Sequence, residues 1–308
     1  MEFHHIPVML EEVLQYLDPK PGGIYADGTL GGGGHSLEIL KRIVPDGRLI
    51  GIDRDPEAIK AARERLKAWS GSFTAVHGNY ADIVEILKDL GIEHLDGMIM
   101  DLGVSSHQLD EKERGFTYNE DVRLDMRMDT TQDFSAYDVI NGYPAEELAR
   151  IFWQYGEERW SKRIAEFIVR NRPIETTGRL VEVIKAAVPA SARRSGPHPA
   201  RRVFQAVRIE VNRELEHLKE AIDRAVSVLK PGGRLCIITF HSLEDRIVKT
   251  QFQRLSNPCI CPPKSPVCLC GKTPQVEILT RKPVLPTEDE TGSNPRSRSA
   301  KLRACRKL

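Results

Sequence analysis

The sequence predicts an α/β protein: a Rossmann-like sheet domain interrupted by an inserted α-helical domain. Three observations predict it. Short apolar runs that end in an acid alternate with helical stretches over the first third of the chain, the pattern of successive β-α units in a parallel sheet. The first run turns through Gly31-Gly32-Gly33-Gly34 directly into a helical pattern, as nucleotide-binding folds do. The rhythm stops after Ser106 and resumes near Arg201, and the stretch between has helical periodicity without a convincing buried strand. The expected organisation is a sheet domain in two pieces, residues 1–106 and 201–308, around a helical insert at 107–200.

In order, a helical spacing opens at Pro7 and runs to Leu14, leading into a first strand, Ile24 to Asp27. A helix follows from Ser36. Gly47 to Ile52 reads as the second strand, closed by Asp53, and Pro56 takes the favoured first-turn place of a helix running to Arg63. Phe73 to Tyr80 is a third strand with its turn, Ile83 to Leu87 lies in a helix, and Leu95 to Asp101 is a fourth strand. In the insert an irregular polar stretch, 114–129, precedes helical patterns at 144–155, 157–171 and 178–188. One long amphipathic helix is expected over 202–229, then a strand at 234–240 and a helix through Phe252. Two strand-like pieces, 276–280 and 300–305, flank a mobile Pro/Glu/Asp/Ser-rich loop.

Charged residues are 29% of the 308 and the net charge is +1, so nucleic-acid affinity has to come from local patches. No run of 18 apolar residues occurs and the first residues do not form a signal peptide. The expectation is a cytoplasmic protein whose six cysteines stay reduced.

Glycine clusters usually mark ordinary loops, and here the third glycine of a strict dinucleotide fingerprint falls at Ser36. Asp53, however, stands 20 residues after Gly33, where such folds place an acid for ribose hydroxyls. S-adenosylmethionine fits better than NAD. Its carboxylate suits the N–H groups of the turn, Asp53 its ribose, and Asp27 or Asp101 its cationic end.

These residues resemble a known family almost from end to end. The chain is similar to the bacterial small-subunit (16S) ribosomal RNA cytosine-N4 methyltransferases. The resemblance is carried by His5-Ile6-Pro7-Val8, Asp27-Gly28-Thr29, Gly33-Gly34-His35-Ser36, Ile52-Asp53-Arg54-Asp55 and Asp101-Leu102-Gly103-Val104-Ser105-Ser106. It continues in Gln108-Leu109-Asp110, Arg114-Gly115-Phe116, Leu124-Asp125-Met126-Arg127-Met128-Asp129, Tyr155-Gly156-Glu157-Glu158-Arg159, Phe204-Gln205-Ala206-Val207-Arg208, Phe240-His241-Ser242-Leu243-Glu244-Asp245-Arg246 and Asn294-Pro295-Arg296. The resemblance implies a class I methyltransferase core, S-adenosylmethionine as donor and 16S ribosomal RNA as substrate. It also implies a donor site lined by Gly33, Gly34, His35, Asp53, Tyr80, Asp101 and Gln108.

An exocyclic cytosine amine is a poor nucleophile because its lone pair is delocalised into the ring. An acceptor for one of its N–H groups helps localise that pair. Asp101 is the candidate by position; alternatively it only orients the donor. Asp101 is followed by Leu-Gly-Val-Ser-Ser, without the prolines and aromatic usual in DNA amino-methyltransferases. Phe116, Tyr118 and Phe240 are candidates to stack on an extruded base, each also plausible as a core aromatic, and His241 reads equally as scaffold or base contact. No cysteine lies on the first four strands or their following loops to serve carbon-5 methylation, and no strand end carries a lysine for ribose transfer. The rival readings are a methyltransferase acting on protein or a small molecule, and a non-catalytic RNA-binding factor.

Between Ser191 and Arg213 six arginines oppose one acid, and between Arg281 and Leu308 eight basic residues oppose three. Such runs are often only solvated faces, but they suit RNA phosphates. Finally, Cys259-Ile260-Cys261 and Cys268-Leu269-Cys270 form a C-x-C, six-residue, C-x-C pattern. It reads either as a structural tetrahedral zinc clip or as four reduced thiols in a proline-rich loop.

Overall fold

The computed structural model describes residues 7–193, 198–262 and 269–308. The chain divides into two compact units, one of Met1–Gly103 with Leu215–Leu308 and the other Val104–Glu214.

The first unit opens with α1 (Leu10–Leu17), three residues later than the proline at position 7 had indicated. It continues through β1 (Ile24–Asp27), α2 (Gly34–Ile43), β2 (Arg48–Asp53), α3 (Pro56–Arg65), β3 (Phe73–His77), α4 (Ile83–Asp89) and β4 (Leu95–Asp101). Burial follows each element's period: β1 after its first residue and the centre of β2 are buried, as strands covered on both faces require.

The second unit holds α5 (Ser106–Asp110), α6 (Ala136–Gly142), α7 (Ala145–Gln154), α8 (Ser161–Arg170), α9 (Thr177–Ala187), α10 (Ala190–Arg193) and α11 (Ala200–Asn212). The chain returns to the first unit with α12 (Leu218–Val228), β5 (Leu229–Thr239), α13 (Ser242–Ser256), β6 (Val276–Ile278), α14 (Glu288–Ser293) and β7 (Lys301–Lys307).

The seven strands are ordered β3-β2-β1-β4-β5-β7-β6. Pairing is parallel from β3 to β5, while β7 runs antiparallel to both β5 and β6. The sheet is therefore mixed at one edge rather than parallel throughout. The order reverses between β1 and β4, the switch point where open α/β sheets collect ligands. Two apolar clusters serve this unit. One includes Ile50, Met98, Leu235 and Phe252, the other Tyr25, Ile39, Leu49 and Ile99.

Three expectations need correction. The helix expected over 202–229 is two helices, α11 and α12, because Arg213 adopts a left-handed backbone, φ 49°, at the end of α11. The helical insert does not end at residue 200. It runs to Glu214, since α11 packs its Val203, Phe204, Ala206 and Val207 into the second unit's core beside Phe152, Ile164 and Leu180. The loop before the last strand contains α14, capped by Thr287, and the Glu290 carboxylate accepts the Met9 N–H at 2.7 Å.

Candidate active site

Strand lengths shape the site. Asp27 ends β1 opposite Gly51 of β2 and Ile99 of β4, while those neighbours run two residues further, to Asp53 and Asp101. The turn after β1 fills the resulting notch by bonding to each side alternately. Gly28 N–H donates to Ile99 O, Leu30 N–H to Ile52 O, and Gly31 N–H to Asp53 Oδ2 at 2.7 Å. Asp101 N–H donates to Thr29 Oγ1 at 2.6 Å. A Cβ on Gly28 would stand 2.9 Å from both Met98 Cε and Tyr80 Cβ, so glycine lets the turn lie against Tyr80. Gly33 caps α2 at φ 73°, a conformation glycine adopts without steric cost, and Gly34 begins the helix against Pro7.

Asp27, Asp53 and Asp101 thus meet at the strand ends, and among the described residues no lysine or arginine pairs with any of them. Asp27 is held by the Ser36 hydroxyl at 2.7 Å and the Thr29 N–H at 3.1 Å, yet burial pushes its carboxyl up to about 6. Asp53 also rises to about 6, through burial first and then the charges of Asp55 and Asp27, against the N–H groups of Asp55 and Gly31 that it accepts. Burial raises Asp101 well above the ordinary carboxylate range, aided by Asp27 and Glu244. Its Oδ1 is enclosed and has no hydrogen-bond partner. Crowded carboxylates that resist ionisation form a site for a ligand bearing positive charge.

His35 adds a neutral acceptor. Burial lowers its imidazole to about 4, so it is uncharged near pH 7. Its Nε2 lies 2.9 Å from the Val8 carbonyl, which only an N–H can satisfy. The proton therefore sits on Nε2, and Nδ1 presents a lone pair 4.0 Å from Asp101 Oδ2. The two are neighbours, not an ion pair.

Of the seven residues implied for the donor site, Gly33, Gly34, His35, Asp53, Tyr80 and Asp101 lie in the sheet unit and Gln108 in the helical one. Gln108 is buried in the capping box of α5, where its Oε1 accepts the Ser105 N–H and its own N–H donates to Ser105 Oγ. Asp27, Thr29 and Ser36 carry more of the site than their place in the sequence indicated. The signal was the Asp-Gly-Thr triplet followed by Gly-His-Ser.

The other candidates separate. Phe116 belongs to the second unit's core. Tyr118 stacks on His198 with ring centroids 4.9 Å apart, and Phe240 is partly buried against the sheet. His241 caps α13, its Nδ1 accepting the Glu244 N–H, while Glu244 Oε2 accepts the Phe240 N–H.

Both basic runs are partly spent on structure. Arg208 forms a two-point pair with Glu214, and Arg202 donates to the Glu157 carbonyl. In the tail, Arg303 is clamped by Asp245 and Arg306 by Glu277. Arg193 and Arg201 remain exposed; Arg194, Gly196 and Pro197 lie outside the described residues, as do His5, Ile6 and Cys268.

Strand order, the antiparallel β7 and the acids at the switch point define a class I methyltransferase. More narrowly, the chain belongs to the MraW methylase family, whose model matches residues 2–308. It is 57% identical to a protein of Symbiobacterium thermophilum named ribosomal RNA small subunit methyltransferase H, over 100% of this chain and 98% of that one. Proteins of the same name from Clostridium botulinum (strain Loch Maree) and Brevibacillus brevis are 58% and 54% identical over 100% of this chain, covering 100% and 99% of theirs. Among the described residues no helix is long and apolar enough to cross a membrane.

Proposed function

We propose that this chain transfers the methyl group of S-adenosylmethionine to the exocyclic N4 amine of a specific cytosine in small-subunit (16S) ribosomal RNA, in the cytoplasm. The observation that carries this reading is the strand-end cluster: three carboxylates that no described lysine or arginine pairs with, one with an enclosed, unpartnered oxygen. S-adenosylmethionine, when bound, supplies an electrophilic methyl on a sulfonium, an ammonium and a ribose diol, which match those needs. In this reading Asp53 takes the diol, while Gly33, Gly34 and His35 offer the α2 N-terminus and a neutral acceptor to the amino-acid end. Tyr80, against which the Gly28 turn lies, completes the lining within the sheet unit, and Gln108 is assigned to the donor by the family resemblance alone.

Asp101 is the catalytic residue of this proposal. A carboxylate at the end of β4 accepts an amine N–H, keeps the nitrogen lone pair out of conjugation and can take up the proton released on methylation. Nitrogen is favoured as acceptor because the two cysteines within the sheet, Cys236 and Cys305, are buried with thiols pushed to about 12 and above it, so neither supplies the thiolate that carbon-5 methylation needs. The relatives' names supply the RNA, and Arg193 and Arg201, both exposed, suit its phosphates. Labelling small-subunit RNA with methyl-labelled donor and digesting it to nucleosides tests the assignment. The label is expected on N4 of cytidine; label on carbon-5 or on ribose overturns it.

A further inference from the structure

Between α13 and β6 the chain makes an excursion, residues 257–274, that the methyl-transfer site leaves unexplained. Its base is closed: Gln275 N–H donates to Leu255 O at 2.9 Å, and Leu308 N–H donates to Gln275 O at 3.0 Å. Beyond that base, none of its described residues is buried. Ordering a backbone costs about 1–2 kcal/mol per residue, and the described residues of this stretch have no apolar core to offset it.

What it has is sulfur. The Sγ atoms of Cys259, Cys261 and Cys270 all lie within 4.8 Å of one another, and those of Cys259 and Cys270 are 3.9 Å apart. A disulfide needs about 2.05 Å. Zinc–thiolate bonds of about 2.3 Å place two sulfurs of a tetrahedral site about 3.8 Å apart. The Leu269 N–H donates to Cys261 Sγ at 3.3 Å, a bond that favours the thiolate. The residues between the cysteines turn the other way: Ile260 is 70% exposed and Leu269 88%, so outward apolar side chains alternate with convergent thiols.

We propose that Cys259, Cys261 and Cys270 are ligands of one structural zinc ion that fixes this excursion. Soft thiolates in tetrahedral array select zinc or iron, and sulfurs this close embrace a single ion rather than a cluster of several irons. Cys268, the remaining thiol of the sequence pattern, lies outside the described residues, and three convergent thiolates already define the site. Bound metal would supply the cross-link that side-chain burial does not.

Elemental analysis of the full chain, purified without added metal or chelator, is expected to find about one zinc per chain. Cys259→Ser and Cys270→Ser should each reduce this to less than about a tenth. Because none of the excursion's described side chains is buried, these variants should otherwise keep the parent's far-ultraviolet circular dichroism. Cobalt exchange provides a readout on the unaltered chain, where thiolate-to-cobalt charge-transfer bands and intense tetrahedral ligand-field bands are expected. Less than about a tenth of a metal in the parent, iron in place of zinc, an octahedral cobalt spectrum, or full zinc in the Cys259→Ser/Cys270→Ser double variant overturns the inference.

Discussion

Asp125 in the helical unit and Asp27 and Asp53 in the sheet unit are the same residue type in enclosed positions, yet their carboxyls shift in opposite directions. Burial pushes Asp125 up, but the Arg127 side chain outweighs it with bonds of 2.9 and 2.7 Å, and the carboxyl ends below its usual range. Asp27 and Asp53 have only N–H groups and hydroxyls, and rise to about 6. The helical unit also clamps Arg208 to Glu214 and threads the Asn212 amide into the turn around Met126, where Met128 N–H donates to Asn212 Oδ1 and Asn212 Nδ2 donates to Met126 O. These polar groups are matched within the protein; at the strand ends positive charge is left to a ligand. Variants at the strand ends should therefore act on donor and turnover, and variants in the Asn212 network on stability.

The largest effect is expected at Asp101. Asp101→Asn keeps the shape but loses the anionic acceptor, and turnover should fall roughly 10²–10⁴-fold, the range of general-base assistance. Donor affinity should change less than about tenfold in the same variant. Equal losses in single-turnover rate and calorimetric affinity would return Asp101 to a donor-orienting role. Asp53→Ala should instead weaken the donor roughly 10- to 100-fold, as losing a charge-assisted hydrogen bond does. Its thermal melt should move little, because removing a buried charge offsets the lost bonds from Gly31 and Asp55.

The sheet side of this contrast was largely legible in the sequence. Apolar runs closed by Asp27, Asp53 and Asp101 have both the period and the punctuation of parallel strands, and those acids meet. The helical side was less legible. Helix α11 continues into α12 without glycine or proline to mark the break, and a left-handed Arg213 is uncommon. Asn212 acts on residues 84 and 86 positions earlier, a relation no local pattern contains. Helices α5, α6 and α14 are too short for a full amphipathic period. Each nevertheless carries a readable start: Ser105 with Gln108, Ser135 with Asp138 and Thr287 with Glu290, the spacing of a capping box or its near relative.

Asn212→Ala probes the matched network. It orphans the Met128 N–H and the Met126 carbonyl, at about 1–3 kcal/mol for each buried group left unpaired. Urea unfolding should show a loss of roughly 2–4 kcal/mol, while donor affinity measured below the transition stays unchanged. A variant that kept its stability and lost donor affinity would break the division drawn between the two sets.

The smallest effect concerns protons. In the ligand-free chain, the contribution of Asp27 and Asp53 to stability is present below their unfolded value of 3.8 and lost as pH rises through about 6. His35 works oppositely. Its folded value of about 4 against an unfolded 6.5 makes its contribution grow as pH rises across that interval. The two trends oppose each other, so a pH series of melts reads the acids poorly. Donor binding separates them, because a cationic ligand lowers the carboxyls and leaves the buried imidazole neutral. If either Asp returns to its ordinary range on binding, linkage gives a loss in affinity of roughly three- to fourfold per group between pH 7 and 5.5. Binding at pH 6 should also release protons, seen as calorimetric heats that differ between buffers of different ionisation enthalpy. At pH 8 the acids are already ionised and that difference should vanish. Equal heats in all buffers at pH 6, with affinity flat across the range, would mean the strand-end carboxylates do not sense the donor's charge.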